Sequence, residues 1–257
     1  MDDGFGHNEI EMNGRTTSSM RPSARRIIAI LAGCLLQFIL SCGESGDRAD
    51  RAAHRSTGDS FTFFDIGRNS EYSERIRDAL AERLGNDSIE HRSIIDLAIS
   101  PRGLLRDHLP ELDALNLQLN NPPGERVDHD VIRLMYRYAR KKDAPFDYVD
   151  LIFDGQSRRP LVFRMRFKAD EAGMVESLRA KYGPPDRIAE GAENSRSLIW
   201  RKERDALVVS LIPDQFGEPI HHITLYFTEN LEGLVASEQA AKERKAKERA
   251  RSGKSAF

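Results

Sequence analysis

Four arginines stand where they could hold a negative charge. Arg133 and Arg137 are four apart, and Arg164 and Arg166 two apart, in segments that alternate apolar and polar residues. In a strand, residues two and four apart share a face. All four therefore fall on the non-core side of one meander. Guanidinium groups bind phosphate, sugar acids or lipid headgroups through paired hydrogen bonds. The same arrangement fits cross-strand pairing with Asp150 and an acidic neighbour. Arg158, Arg159 and Lys168 could extend the patch. His221 and His222 are adjacent on a strand pattern and so face opposite sides, which does not suit one metal. Asp128-His129-Asp130 offers nitrogen and oxygen ligands, or a carboxylate–imidazole pair for hydrolysis, but no second spaced ligand motif lies nearby. Gly-x-Ser-x-Gly is absent, and so is a Gly-rich phosphate loop. The expectation is a non-enzyme with no metal and no cofactor.

Composition narrows the classes further. Among 257 residues, 39 Lys and Arg face 41 Asp and Glu, for a net charge of −2. That balance argues against a nucleic-acid binder, which is usually clearly basic. Two cysteines exclude a disulfide scaffold, a cysteine zinc knuckle and an iron–sulfur protein. A mean hydropathy of −0.54 excludes a polytopic membrane protein.

The elements that must carry the arginines follow from periodicity. Tyr72, Ile76, Leu80 and Leu84 recur every four residues and predict a helix over Glu71–Leu84, capped by Ser70 and stopped by Gly85-Asn86. A second helix is expected over Pro110–Leu119, and Asn120 to Gly124 breaks it. The period then changes to two. Val131–Arg140, Asp147–Phe153 and Leu161–Lys168 read as an antiparallel meander. Asp170 caps a third expected helix, Glu171–Tyr182, ended by Gly183-Pro184-Pro185. Leu198–Lys202, Ala206–Ile212 and Ile220–Phe227 read as three more strands. The expected fold is α+β, with mostly antiparallel strands in a β-β-β-α-β-β-β order, helices packed on one face, and a charged C-terminal helix. That order hints at two three-stranded halves, whether in one sheet or two.

The N-terminal segment carries an address. Ile27–Leu40 is a 14-residue apolar run preceded by Arg21, Arg25 and Arg26. A basic region before so short an apolar run is a secretory signal peptide, too short to span a bilayer. The run ends Ile39-Leu40-Ser41-Cys42-Gly43, which resembles the lipobox of bacterial lipoproteins. The resemblance implies cleavage before Cys42 and its acylation. Cys34, after Leu31-Ala32-Gly33, is the alternative, but only Ile27–Leu31 would precede it as an apolar core. Gly43 stands where an Asp would imply retention at the inner membrane, so the resemblance implies the outer membrane. The pattern is complete from Met20, which is a candidate start. The expected organisation is a signal peptide over 1–41, a flexible tether over 42–60, an α+β domain over 61–228, and a charged helical or disordered tail over 229–257. Met174–Phe227 combines a helix, Tyr182-Gly183-Pro184-Pro185, a strand bearing Trp200 and two more strands. This is similar to the small outer-membrane assembly lipoproteins of the SmpA/BamE-like group, and implies a scaffold role by analogy.

The expected function is that of a lipid-anchored component of the bacterial envelope, on the periplasmic face of the outer membrane. Its expected partners are the membrane, through the lipid on Cys42, and another envelope protein; nucleic acid is not among them. The alternative is a binding module for an anionic envelope ligand, a lipid headgroup or polysaccharide, on Arg133, Arg137, Arg164 and Arg166.

Overall fold

The computed structural model describes residues 60–167, 173–191 and 195–254. Helix α1 (Glu74–Leu84) starts where the Ser73 hydroxyl accepts from the Ile76 amide at 3.3 Å. Ser70, the expected cap, instead accepts from the Gly67 amide at 3.1 Å, one turn too early to start the helix. There follow β1 (Ser88–Ser93), α2 (Leu104–His108), α3 (Pro110–Leu119), β2 (His129–Tyr136) and a short 3₁₀ turn (Ala139–Lys142). Next come β3 (Tyr148–Asp154), β4 (Pro160–Phe167), α4 (Met174–Tyr182), β5 (Arg187–Glu190) and β6 (Arg196–Lys202). The chain closes with β7 (Asp205–Pro213), β8 (Pro219–Tyr226) and α5 (Thr228–Lys254). Helix α3 occupies the span its pattern predicts, with Pro110 in its first turn. Helix α4 begins at Met174; Asp170 and Glu171, expected to cap and open it, lie outside the described residues, as do Cys34, Cys42, the expected signal and residues 42–59 of the expected tether. The last residue of that tether, Ser60, is buried in the domain and donates to Asp205 at 2.5 Å.

All eight strands form one antiparallel sheet in the order β1-β2-β3-β4-β8-β7-β6-β5. The α+β class and the six expected strands are present, but the expected order needs correction. β1 and β5 add one strand to each half, giving four strands, a helix, and four more, with α2 and α3 inserted between β1 and β2. Their sequences, Ser-Ile-Glu-His-Arg-Ser and Arg-Ile-Ala-Glu, hold one large apolar residue each. Edge strands need little more, and charges there oppose further pairing.

The two halves share a signature. Leu80 to Gly85 and Leu178 to Gly183 each end a helix, and an aspartate, Asp87 or Asp186, precedes the strand. Gly85 has φ +85° and Gly183 φ +84°, and each amide donates to the carbonyl four residues back. With ψ of −164° and −172° both sit in a region essentially open only to glycine, where a side chain costs about 1–3 kcal/mol. The halves join through their last strands, β4 and β8, paired antiparallel. The repeat is one of four-stranded units, not three. Trp200 is buried and donates its indole N–H to the Gly183 carbonyl at 2.9 Å, tying β6 to the end of α4.

Both faces of the sheet are covered, which corrects the expectation of helices on one face. On the first face Leu134, Leu151, Phe163, Leu207 and Leu225 pack with Phe61, Phe63 and the apolar stripes of α1 and α4. On the second face Ile152, Val162, Val208 and Tyr226 pack with Leu97, with Leu105 of α2, with Leu112 of α3 and with Leu231 of α5. The central strands are apolar on both sides, as in Leu161-Val162-Phe163 and Leu207-Val208-Val209, and a sheet of that kind needs two covers. Arg68 holds the start of the domain against the rest. Its buried guanidinium lies 2.6 Å from Glu203, 3.6 Å from Glu229 and 3.9 Å from Asp205. No described helix is long and apolar enough to cross a membrane.

Candidate functional site

The second face of the sheet divides into an apolar half under helices and a polar half beside them. Ser197, Ser210, His222, Arg166 and Tyr148 are successive cross-strand partners on β6, β7, β8, β4 and β3. Residues opposite each other across strands share a face, so these five form one polar row. Ser197 and Ser210 join through a 2.9 Å hydrogen bond, and the Arg166 guanidinium lies 5.9 Å from the centre of the Tyr148 ring. The next row runs Ile199, Val208, Thr224, Arg164 and Asp150. There the polar and apolar halves meet.

The four expected arginines take different roles. Arg133 grips the buried Asp150 carboxylate with two hydrogen bonds, Nε to Oδ1 at 2.8 Å and Nη2 to Oδ2 at 2.9 Å. It also donates to Ser93 at 2.9 Å and lies 3.7 Å from Glu90, both on β1. The Asp150 bonds hold its guanidinium above the ordinary arginine value. Cross-strand pairing thus absorbs Arg133. Arg164 shares Asp150 at 3.6 Å and donates to the Asp96 carbonyl. Arg166 lies exposed one row further on, and Arg137 is exposed just past the end of β2. The structure therefore brings Arg133 and Arg164 onto one carboxylate, sets Arg166 beside them, and leaves Arg137 apart.

A cleft opens beside Arg164. Its volume is about 440 Å³. The floor carries Arg164 of β4, His222 and Thr224 of β8, and Ile212 of β7. The roof brings Ser100, Arg102 and Gly103 from the segment after β1, and Arg106 from α2. Three arginines thus line the cleft with one acidic residue, Asp113; Arg106 also donates to Asp107 at 2.9 Å, and Arg164 lies 3.6 Å from Asp150. The roof is held over the sheet by Tyr226, whose hydroxyl donates to the Leu97 carbonyl at 2.7 Å, and by Asn116, which accepts from the Leu97 amide at 2.8 Å. His222 sits below the ordinary imidazole value, first through burial and then through the positive charge of Arg166 and through His221. It enters the cleft as a neutral ring that can donate and accept. The arrangement offers cations, a hydroxyl and a neutral imidazole to an anion.

The histidines separate as the strand pattern requires. His221 turns to the first face, where its ring stacks on Phe167 at 4.8 Å and 11°. His129 is buried at the start of β2, and its carboxylate partner is not the adjacent Asp128 or Asp130. Nδ1 lies 2.8 Å from Glu238 of α5, and Nε2 lies 3.1 Å from the Leu119 carbonyl. Both partners are acceptors, so the pair serves as a pin between β2, α3 and α5. Asp128 is taken by Arg126 at 2.9 Å. Among the described residues, no group of three or more His, Cys, Asp or Glu side chains could hold a metal ion.

Arg102 and Arg106 escape a reading of the sequence because they lie some 60 residues before β4, outside any strand. The one signal is Ser100-Pro101-Arg102-Gly103, a turn between two apolar segments with a cation at its tip. Compared with models of known families, with curated proteins and with solved structures, the chain matches none.

Proposed function

We propose that this chain is a non-enzymatic binding module of the bacterial envelope, anchored through lipid on Cys42, and that its cleft takes an anionic ligand. The observation that carries the reading is the placement of Arg102, Arg106 and Arg164 around one cleft, while Asp150 absorbs Arg133. A pocket with convergent cations beside a neutral imidazole suits an oxyanion, phosphate or carboxylate. That chemistry occurs in lipid headgroups and in acidic polysaccharides. The test is calorimetric titration of the full chain in amphipol with sn-glycerol 3-phosphate and, separately, with an oligogalacturonate. Saturable binding of the first points to a headgroup, and of the second to a polysaccharide. Binding of neither at millimolar concentration refutes the reading.

A second reading, an assembly component that engages another envelope protein, draws support from α5. This helix runs 27 residues, and beyond Glu238 its side chains are mostly exposed. Crosslinking in cells, followed by purification from solubilised membranes, tests it. One stoichiometric partner, lost when residues 241–257 are deleted, is the expected result; a partner set unchanged by the deletion removes it.

A further inference from the structure

The first face holds a second cavity, apolar where the cleft is charged. Its volume is about 260 Å³. Phe61, Phe63 and Phe64 wall it on one side, Pro145 and Phe146 on another, and Met174, Leu178 and Tyr182 of α4 on a third. Thr62 and the hydroxyl of Tyr182 are the polar groups among its described lining side chains, and they meet: the Tyr182 oxygen accepts from the Thr62 amide at 3.1 Å. Three further observations point to a ligand. The stripe of α4 that its spacing marks for burial is only half-buried: no residue of this helix is fully buried. Met174, Val175, Leu178 and Tyr182 pack against the first-face core, and three of them also line the cavity. The turn at the wall is strained. Phe63 and Ile66 exchange backbone hydrogen bonds at 3.0 and 2.9 Å around Phe64 at φ +45° and Asp65 at φ +65°. Tight hairpin turns of this form favour Asn-Gly, and a bulky ring at positive φ is an outlier. Outliers of this kind persist only where the surrounding structure holds them, and they cluster at ligand clamps and other functional sites. Here the strain presents the Phe64 ring, 36% exposed, at the cavity edge. Cations frame that edge: the Arg83 guanidinium lies 4.8 Å from the Phe64 ring centre, and Lys181 donates to Thr62 Oγ1 at 2.8 Å.

We infer that this cavity takes the single acyl chain of an amphiphile whose acidic head rests against Lys181. The volume matches about eight to ten methylenes, if each takes about the ~30 Å³ share of a water molecule. An apolar cavity of this kind accepts hydrocarbon, and the Lys181 cation beside the Thr62 hydroxyl gives the head its place. The inference concerns the opposite face from the anion cleft and does not depend on it.

The test uses membranes containing the full chain and a dodecanoic acid bearing a photoreactive diazirine. After irradiation, the modified residues are mapped by mass spectrometry. Label is expected on peptides containing Phe61–Phe64 and Met174–Tyr182, and dodecanoate is expected to displace it. Displacement by octanoate and decanoate should improve about fourfold per added methylene and flatten beyond the length the cavity holds. Leu178→Trp fills the cavity and should cut labelling at least tenfold while the melting temperature holds or rises. Lys181→Glu should weaken displacement by dodecanoate but not by dodecylamine. Label spread over the chain, or label on these peptides that Leu178→Trp leaves in place, overturns the inference. A folded Leu178→Trp protein is shown by an unchanged far-ultraviolet circular dichroism spectrum and a single cooperative urea transition. If that variant does not fold, Phe64→Gly serves in its place: it relieves the turn and should raise stability while reducing label.

Discussion

Asp150→Asn isolates the contact that organises the arginine face. The substitution preserves shape and removes one negative charge. In the native protein the Asp150 side chain is 3% exposed and accepts two charge-assisted hydrogen bonds from Arg133, whose own side chain is 21% exposed. Asparagine keeps one acceptor oxygen and turns an NH₂ group toward a guanidinium, which can only donate. One bond is lost and the other becomes neutral at its acceptor. A net hydrogen bond to a charged group is worth about 1.5–3 kcal/mol, and breaking a buried pair costs about 3–5 kcal/mol. Arg133 keeps Ser93 at 2.9 Å and Glu90 at 3.7 Å and sees some solvent, so the low end applies. The expected loss is about 3 kcal/mol. For a domain of this size that lowers the melting temperature by roughly 6–12 °C. Urea unfolding followed by tryptophan fluorescence reads the change, because Trp200 is buried against the same sheet. The double variant Arg133→Met/Asp150→Leu removes both charges of the bidentate pair. Arg164, which also faces Asp150 at 3.6 Å, is 25% exposed and keeps the Asp96 carbonyl, so at least half of the loss should be recovered. A loss below about 1 kcal/mol for Asp150→Asn, or a double variant worse than the single, refutes the argument that the pair is a buried, mutually dependent unit.

Three further outcomes follow from other contacts. Tyr136 is fully buried, its hydroxyl has no hydrogen-bond partner among the described residues, and burial pushes it well above the ordinary tyrosine value. Tyr136→Phe should therefore be neutral or stabilising by up to ~1 kcal/mol in urea unfolding, where a loss would mean a hidden partner. Arg68→Met should cost about 2–4 kcal/mol in the same assay, because Asp205 stays buried without its cation, and a change below about 1 kcal/mol contradicts that. His222 is held below the unfolded imidazole value of about 6.5, so the unfolded chain binds more protons as pH falls. Its contribution is present above about pH 6.5 and is lost as pH drops through the depressed folded value; urea midpoints at pH 7.5 and 5.5 should differ less in His222→Gln than in the parent, and parallel shifts would exclude the residue.

Much of the fold is legible where one physical signal dominates. Val149 and Leu151 alternate with Tyr148 and Asp150, so β3 and its register partners announce themselves, while the apolar Ile152 belongs to the second face. Helix α3 is announced by Pro110 and an apolar side of Leu112, Leu115 and Leu119. β1 and β5 are not, because an edge strand with one apolar residue looks like a loop. The second covered face is readable only in hindsight, from Val162 and Val208, which occupy positions that a half-solvated sheet would make polar. The site divides the same way. Arginine alternation and Asp150 name the patch, and cross-strand pairing names the fate of Arg133. The cleft itself depends on the roof between residues 98 and 106 folding back over β4 and β8, a long-range closure that no local pattern encodes.

The most direct test of the account compares anion binding by the full chain and its Arg102→Glu/Arg164→Glu variant, with Arg137→Glu as control. Titration with sn-glycerol 3-phosphate and with oligogalacturonate, after matched unfolding curves, reads the difference. The account predicts at least a hundredfold loss in the double variant for whichever ligand binds, since each reversed arginine removes a charge-assisted bond worth about tenfold or more. It predicts less than a threefold change in Arg137→Glu. Equal affinities in the parent and the double variant, with both folded, would contradict it.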